Sequence, residues 1–227
     1  EEPVRRLDRQ ERDQPLPISL WTYDRSIVPR VVVHHKAPLV LRQLEFVVGD
    51  RAFRPALRYY VESHRYRRAS TESFKAAIET SSRLGLDSYF DEWVHGTGEL
   101  DYALGGVVQE QTPQGWRIEV PIRRRKGGQM PVVVLVEDKG GGRQSQRWEG
   151  IDTRTTLIFE TQARVTRVVL DPEEHLMESD RQNNYSDANV RVRPIFDWSK
   201  NREVLISLQG RAGGNAIDGN YIGLGVN

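Results

Sequence analysis

A chain of 227 residues with 37% hydrophobic and 8% aromatic content can build a sizeable core, as one large domain or two ordinary ones. Its 33 basic and 32 acidic side chains leave a formal net charge of +1, so no bulk field draws it to nucleic acid or to an anionic membrane. The absence of cysteine excludes a disulfide framework and any thiolate site, and no apolar run reaches the ~18 residues that mark a membrane-spanning helix.

Residues 1–30 contain Pro3, Pro15, Pro17 and Pro29 and no sustained periodicity, which predicts an extended arm, pinned to the body by its aromatics Trp21 and Tyr23. The chain opens in charged sequence with no Met and no signal peptide, and the expectation is that it is part of something longer.

Residues 31–104 form a helical module. Pro38 sits where the first turn of a helix tolerates proline, Val40, Leu41, Leu44, Val47 and Val48 recur at helical spacing, and Gly49 stops the run. Asp50 is placed to cap a second helix with an inward face of Phe53, Leu57, Tyr60, Val61 and His64, and Pro55 argues for a regular start a few residues after Arg51. Ser70 or Thr71 caps a third, with Glu72 in its first turn, Phe74, Ala77, Ile78 and Ser81 facing inward, and Gly85 at its end. Asp87 caps a short fourth that buries Phe90, Trp93 and Val94 before Gly96 and Gly98 release the chain.

The period changes at Gly105. Residues 105–184 read as a small antiparallel β-sandwich: Trp116–Ile122 alternates strictly, Met130–Val136 is a nearly continuous apolar run suited to burial on both sides, and Thr155–Glu160 and Val165–Leu170 add further strands. In 185–227, a linker leads to a hairpin of Glu203–Gly210 and Tyr221–Val226. Its alternation resembles that of a membrane β-barrel strand, and it equally fits a last hairpin of the sandwich. The fold class expected is thus α+β and multidomain.

The series His34-His35-Lys36-Ala37-Pro38, Gly49-Asp50-Arg51-Ala52-Phe53, Leu57-Arg58-Tyr59-Tyr60-Val61, His64-Arg65-Tyr66, Ser70-Thr71-Glu72-Ser73-Phe74 and Phe90 to Gly98 resembles zinc aminopeptidases of the aminopeptidase N and leukotriene hydrolase type. The resemblance implies that 31–104 is the helical half of a thermolysin-like catalytic domain. Arg147-Trp148-Glu149-Gly150, Val168 to Glu173 and Asp180 to Asn184 are similar to the β-domain that follows it in bacterial members, some of which carry a barrel further on. It implies a zinc cofactor in the full-length parent, an upstream catalytic segment of the same protein and a peptide substrate as partners, and a periplasmic or cell-envelope location in a bacterium.

Two departures stand out. No histidine begins a His-Glu-x-x-His motif, so the family's zinc ligands lie outside this chain, no metal site is assigned within it, and alone it is expected to be inactive. Where the family has Tyr-x-Lys-Gly, whose Tyr donates to the oxyanion of the tetrahedral intermediate, this chain reads His34-His35-Lys36-Ala37. An imidazole can donate the same hydrogen bond, which makes His34 the candidate catalytic residue; the other reading is a decayed site on a binding or scaffold protein.

Adjacent His34 and His35 diverge on any regular element and cannot chelate one ion together. His64 and His95 at helix ends are read as structural, and Asp91 and Glu92 as surface groups rather than an acid/base pair. The basic run Arg123-Arg124-Arg125-Lys126 reads as a solvated hairpin, with a lipid or lipopolysaccharide phosphate as the alternative partner.

Overall fold

A computed structural model describes residues 13–17 and 31–186, with the backbone of 191–195, 205–209 and 221–225. Trp21 and Tyr23 lie outside the described residues. The chain divides into two compact units. One comprises Glu1–Leu100, Lys126–Pro131 and Glu173–Ser179; the other comprises Asp101–Arg125, Val132–Pro172 and Asp180–Asn227. The fold is mixed α+β.

In the first unit a π-helical turn, Val32–Lys36, runs directly into α1 (Ala37–Val48). It is followed by α2 (Asp50–Ser63), α3 (Thr71–Ser82) and the short α4 (Asp87–Tyr89), which continues as a second π turn, Phe90–Val94. Gly49, at φ +83°, ends α1 and starts α2 in one residue, a backbone conformation that other residues adopt only with strain. Its carbonyl accepts from Ala52 N–H at 3.1 Å and Phe53 N–H at 3.0 Å. Those bonds nucleate the first turn of α2 ahead of Pro55, so the helix begins at Asp50 and not beyond Arg51 as its proline led one to expect.

α3 opens with a reciprocal cap: Ser70 Oγ accepts from Ser73 N–H at 3.1 Å, and Ser73 Oγ accepts from Ser70 N–H at 3.2 Å. The helix ends at Ser82, with Arg83 in the left-handed region at φ +60°, two residues before the glycine expected to stop it. Ser81 is exposed rather than inward, its hydroxyl donating to Ala52 carbonyl at 2.8 Å. Val40, Leu44, Phe53, Ile78, Phe90 and Trp93 form the core. Each such burial is worth roughly 1.5–3 kcal/mol. Leu41, Leu57 and Val61 do not join it; they remain 41%, 38% and 56% exposed.

The second unit begins with a sheet built on β3 (Gly115–Arg124). β6 (Arg154–Thr161) pairs along one edge of β3, while β1 (Tyr102–Leu104) and β2 (Val108–Thr112) share the other end to end. The break between β1 and β2 falls opposite Pro121, whose carbonyl accepts from Gly105 N–H at 2.7 Å. A strand residue turns its N–H and C=O to the same side, so the donor Pro121 lacks is missing where no regular strand needs it.

A second sheet has the order β5 (Arg143–Trp148), β4 (Val132–Asp138), β7 (Val165–Leu170), all antiparallel. Along β4, Val132, Val134 and Val136 are buried while Val133 and Leu135 are half-covered, so this strand is wetter on one face than its apolar run implied. β5 is polar and does not announce itself as a strand. It is held by Gln144 and Gln146, whose Nε2 groups donate to the carbonyls of Glu160 and Ile158 on β6 at 2.6 and 2.7 Å. Tyr102 on β1 and Trp148 on β5 meet at 5.3 Å between centroids.

A third sheet is a meander of β8 (Arg191–Ile195), β9 (Leu205–Gln209) and β10 (Tyr221–Gly225). The expected hairpin is therefore joined by a third strand, with Pro194 on its outer edge, where a missing donor is tolerated. Among the described residues no helix is long and apolar enough to cross a membrane.

Candidate functional site

His34 stands in the π turn that leads into α1. Such turns replace the i→i−4 bond by a wider one; here Ala37 N–H reaches back to Val32 carbonyl. The turn leaves Val33, His34 and His35 exposed and sends Lys36 inward. Lys36 Nζ donates to Asp13 Oδ2 at 2.7 Å and to Gln14 carbonyl at 2.9 Å, and its side chain is 3% exposed. The 13–17 segment thereby locks onto the turn that presents His34, and Leu16 N–H adds a bond to Val94 carbonyl at 2.9 Å. Reading 1–30 as an arm missed this anchor, because two charges 23 residues apart leave no local signal.

Beside that turn lies an apolar groove of about 530 Å³ lined by Leu16, Pro17, Ala37, Leu41, Leu57, Tyr60 and Phe74 among others. Leu41 and Leu57, left out of the core, are part of its wall. Tyr60 donates its hydroxyl to Ser70 carbonyl at 3.1 Å and packs edge-on against Phe74 at 5.2 Å. The aromatic chain continues from Phe74 to Phe90 at 6.3 Å and to Tyr89 at 6.1 Å. Tyr89 hydroxyl donates to Val40 carbonyl at 2.6 Å, tying α4 to α1 beneath the groove. Burial pushes the Tyr89 phenol well above its ordinary range, opposed in part by the Gln43 side chain.

The remaining sequence-predicted groups are not brought to His34. His64 Nδ1 is 3.0 Å from Ser63 Oγ and from Tyr60 carbonyl, with its ring against Tyr60 at 4.5 Å. His175 stacks on Phe46 at 4.6 Å, and its Nε2 is 3.5 Å from Glu173. His95 closes the second π turn, its N–H donating to Phe90 carbonyl at 2.8 Å. Asp91 is exposed and Glu92 half-buried on that same turn.

Among the described residues no three His, Asp or Glu side chains come close enough to hold a metal ion. A zinc centre of three protein ligands and an open position does not fit the described residues. What the arrangement offers is an exposed imidazole, able to donate one hydrogen bond, on the turn that leads into α1, and an apolar groove whose lining includes Ala37, three residues later.

Residues 21–93 match the family model described as the Peptidase family M1 domain. Human glutamyl aminopeptidase is 28% identical over 106 residues, which is 46% of this chain and 11% of that protein. A solved structure of Legionella pneumophila aminopeptidase A in complex with aspartic acid is similar at 18% identity and a TM-score of 0.47, over 62% of this chain and 16% of that one. The chain thus spans a small part of the length of the relatives it matches. These matches support a protein of peptidase family M1, of the aminopeptidase N type, with the family model confined to residues 21–93.

Proposed function

We propose that this chain furnishes one wall of the catalytic cleft in an aminopeptidase N-like zinc metallopeptidase, the metal being held by an upstream segment of the same protein. The observation that carries this reading is the family match over 21–93, which falls on the helices that flank the apolar groove. In this reading the helices are the helical half of a thermolysin-like domain, and the sheets of the second unit pack as a β-sandwich after it. A peptide substrate lies along the groove, where Leu41 and Leu57 are left uncovered.

His34 then acts at the carbonyl of the scissile bond. As that carbon becomes tetrahedral its oxygen gains negative charge, and an N–H of the imidazole donates to it. Removing a donor of this kind typically costs about 10²–10³ in kcat. The test uses the protein expressed with its upstream segment, loaded with zinc and assayed on aminoacyl anilides. His34→Phe should lower kcat by roughly that factor with KM little changed, and His34→Tyr should restore much of it. Equal turnover in His34→Phe overturns the catalytic role while leaving the family assignment intact.

A second reading, a binding or scaffold protein on a decayed site, is favoured by one feature: His34 and Ala37 replace the Tyr and Gly that the family resemblance leads one to expect. Zinc uptake without aminoacyl-amide hydrolysis would select it. For the tail, the reading is the start of a membrane β-barrel, prompted by the meander of β8, β9 and β10, and, from the family resemblance alone, a bacterial periplasmic or cell-envelope location. Each ladder is five residues, against the ~9–11 of a tilted span, so partition of the longer protein into outer-membrane fractions is the deciding measurement.

A further inference from the structure

We propose that the second unit carries a phosphate-binding site at the end of the β3–β6 ladder, held by Arg123 and Arg154. The two residues are direct register partners in this antiparallel pair. Directly opposed side chains leave the same face of a sheet with Cβ atoms about 4.5–5.5 Å apart, and like charges so placed destabilise the pair.

The basic run that contains Arg123 is divided by the fold. Arg125 pairs with Asp101 at 3.6 Å and Lys126 with Glu99 at 2.7 Å, while further down the same face of β3 Arg117 pairs with Glu119. Among the described residues no acid reaches Arg123 or Arg154, and Asp152, only two residues from Arg154, forms no ion pair with it. The sheet therefore keeps two uncompensated guanidinium groups side by side at a cost to its own stability.

They face a trough of about 420 Å³ whose lining includes Gly105, Pro121, Thr153 and Thr156. Pro121 lies two residues before Arg123, and Thr156 two residues after Arg154, so both share the arginines' face. The trough stays open on the β1 side because of Gly105: a Cβ there would meet Pro121 Cβ at 3.0 Å. The break between β1 and β2 that accommodates Pro121 thus also clears space beside the two arginines.

The chemistry selects the ligand. A carboxylate would neutralise one of the two charges, whereas a phosphate monoester carries about −1.5 to −2 at pH 7 and three acceptor oxygens, enough to engage both planar forks together. Thr156 supplies a further hydroxyl donor on the same face. The phosphate belongs either to a soluble monoester or to a lipid headgroup that ends in a phosphate monoester, as phosphatidic acid does; both present the same dianion.

The 227-residue chain is titrated with inorganic phosphate at low ionic strength, followed by phosphorus NMR. Saturable binding is expected, weakened about tenfold or more in Arg123→Gln and in Arg154→Gln and unchanged in Arg117→Gln, whose side chain is already paired. Arg154→Glu places an acid opposite Arg123; it should abolish binding while raising Tm by roughly a few degrees, which separates loss of the site from loss of the fold. Co-sedimentation with phosphatidylcholine vesicles, with and without phosphatidic acid, identifies the source. Retention on phosphatidic acid that requires both arginines assigns a lipid headgroup, and phosphate binding without retention assigns a soluble monoester. No saturable binding of either probe, or binding indifferent to Arg123→Gln and Arg154→Gln, overturns the proposal.

Discussion

Lys36 Nζ rests 2.7 Å from Asp13 Oδ2, both side chains largely out of solvent, and this ion pair joins residues far apart in the chain at the turn that presents His34. Removing one member of such a pair strands the other charge, which typically costs about 3–5 kcal/mol. Asp13→Ala should lower the urea midpoint accordingly. The double change Asp13→Leu with Lys36→Met should recover most of the loss, since two apolar groups of similar volume avoid the desolvation altogether. An Asp13→Ala midpoint equal to that of the parent chain would show the pair to be inconsequential.

Tyr89 makes its hydrogen bond to Val40 carbonyl in a buried setting, and Tyr89→Phe should cost about 0.5–1.5 kcal/mol. Its pH signature is specific. Burial raises the folded-state pKa above that of the unfolded chain, so the unfolded state releases the proton first. The stability Tyr89 contributes is complete below about pH 10 and is lost as pH rises beyond it, by at most ~1.4 kcal/mol per pH unit. Denaturant unfolding from neutral to alkaline pH should show Tyr89→Phe falling less steeply than the parent chain above that point.

Trp93 is 1% exposed and its ring lies where a side chain on Gly128 would have to go. A Cβ at Gly128 would stand 2.4 Å from Glu99 carbonyl oxygen and 3.2 Å from Trp93 Cζ2, whereas nothing lies within 4 Å of one at Gly127. Gly128→Ala should therefore destabilise by about 1–3 kcal/mol through overpacking against rigid backbone, with Gly127→Ala nearly neutral. Thermal melts of the two variants compared side by side check this.

The cap of α3 is a local device and should behave as one. Ser70→Ala removes the acceptor for Ser73 N–H, at about 1 kcal/mol. Ser70→Asp should hold most of that stability, because a carboxylate also accepts the bond and suits the positive end of the helix. Loss in Ser70→Asp equal to that in Ser70→Ala would mean the reciprocal Ser73 hydroxyl, not the cap itself, carries the effect.

The sequence alone determined what depends on neighbours a few residues away. The helical period of Val40 and Leu44, the Ser70 cap, the stop at Gly49 and the alternation of Trp116 to Ile122 are all written in short windows, because capping, φ preference and side-chain direction act over one or two turns. Periodicity identifies an apolar stripe without saying which part is covered: Phe53 is buried while Leu57 and Val61, on the expected face, are not. Tertiary structure alone decided that Asp13 meets Lys36, that the polar segment Arg143–Trp148 is a strand, that 126–131 and 173–179 join the helical unit, and that Arg123 faces Arg154. Each of these turns on a contact between residues distant in the chain, whose free energy exists only once the intervening segment has folded and brought the two groups together.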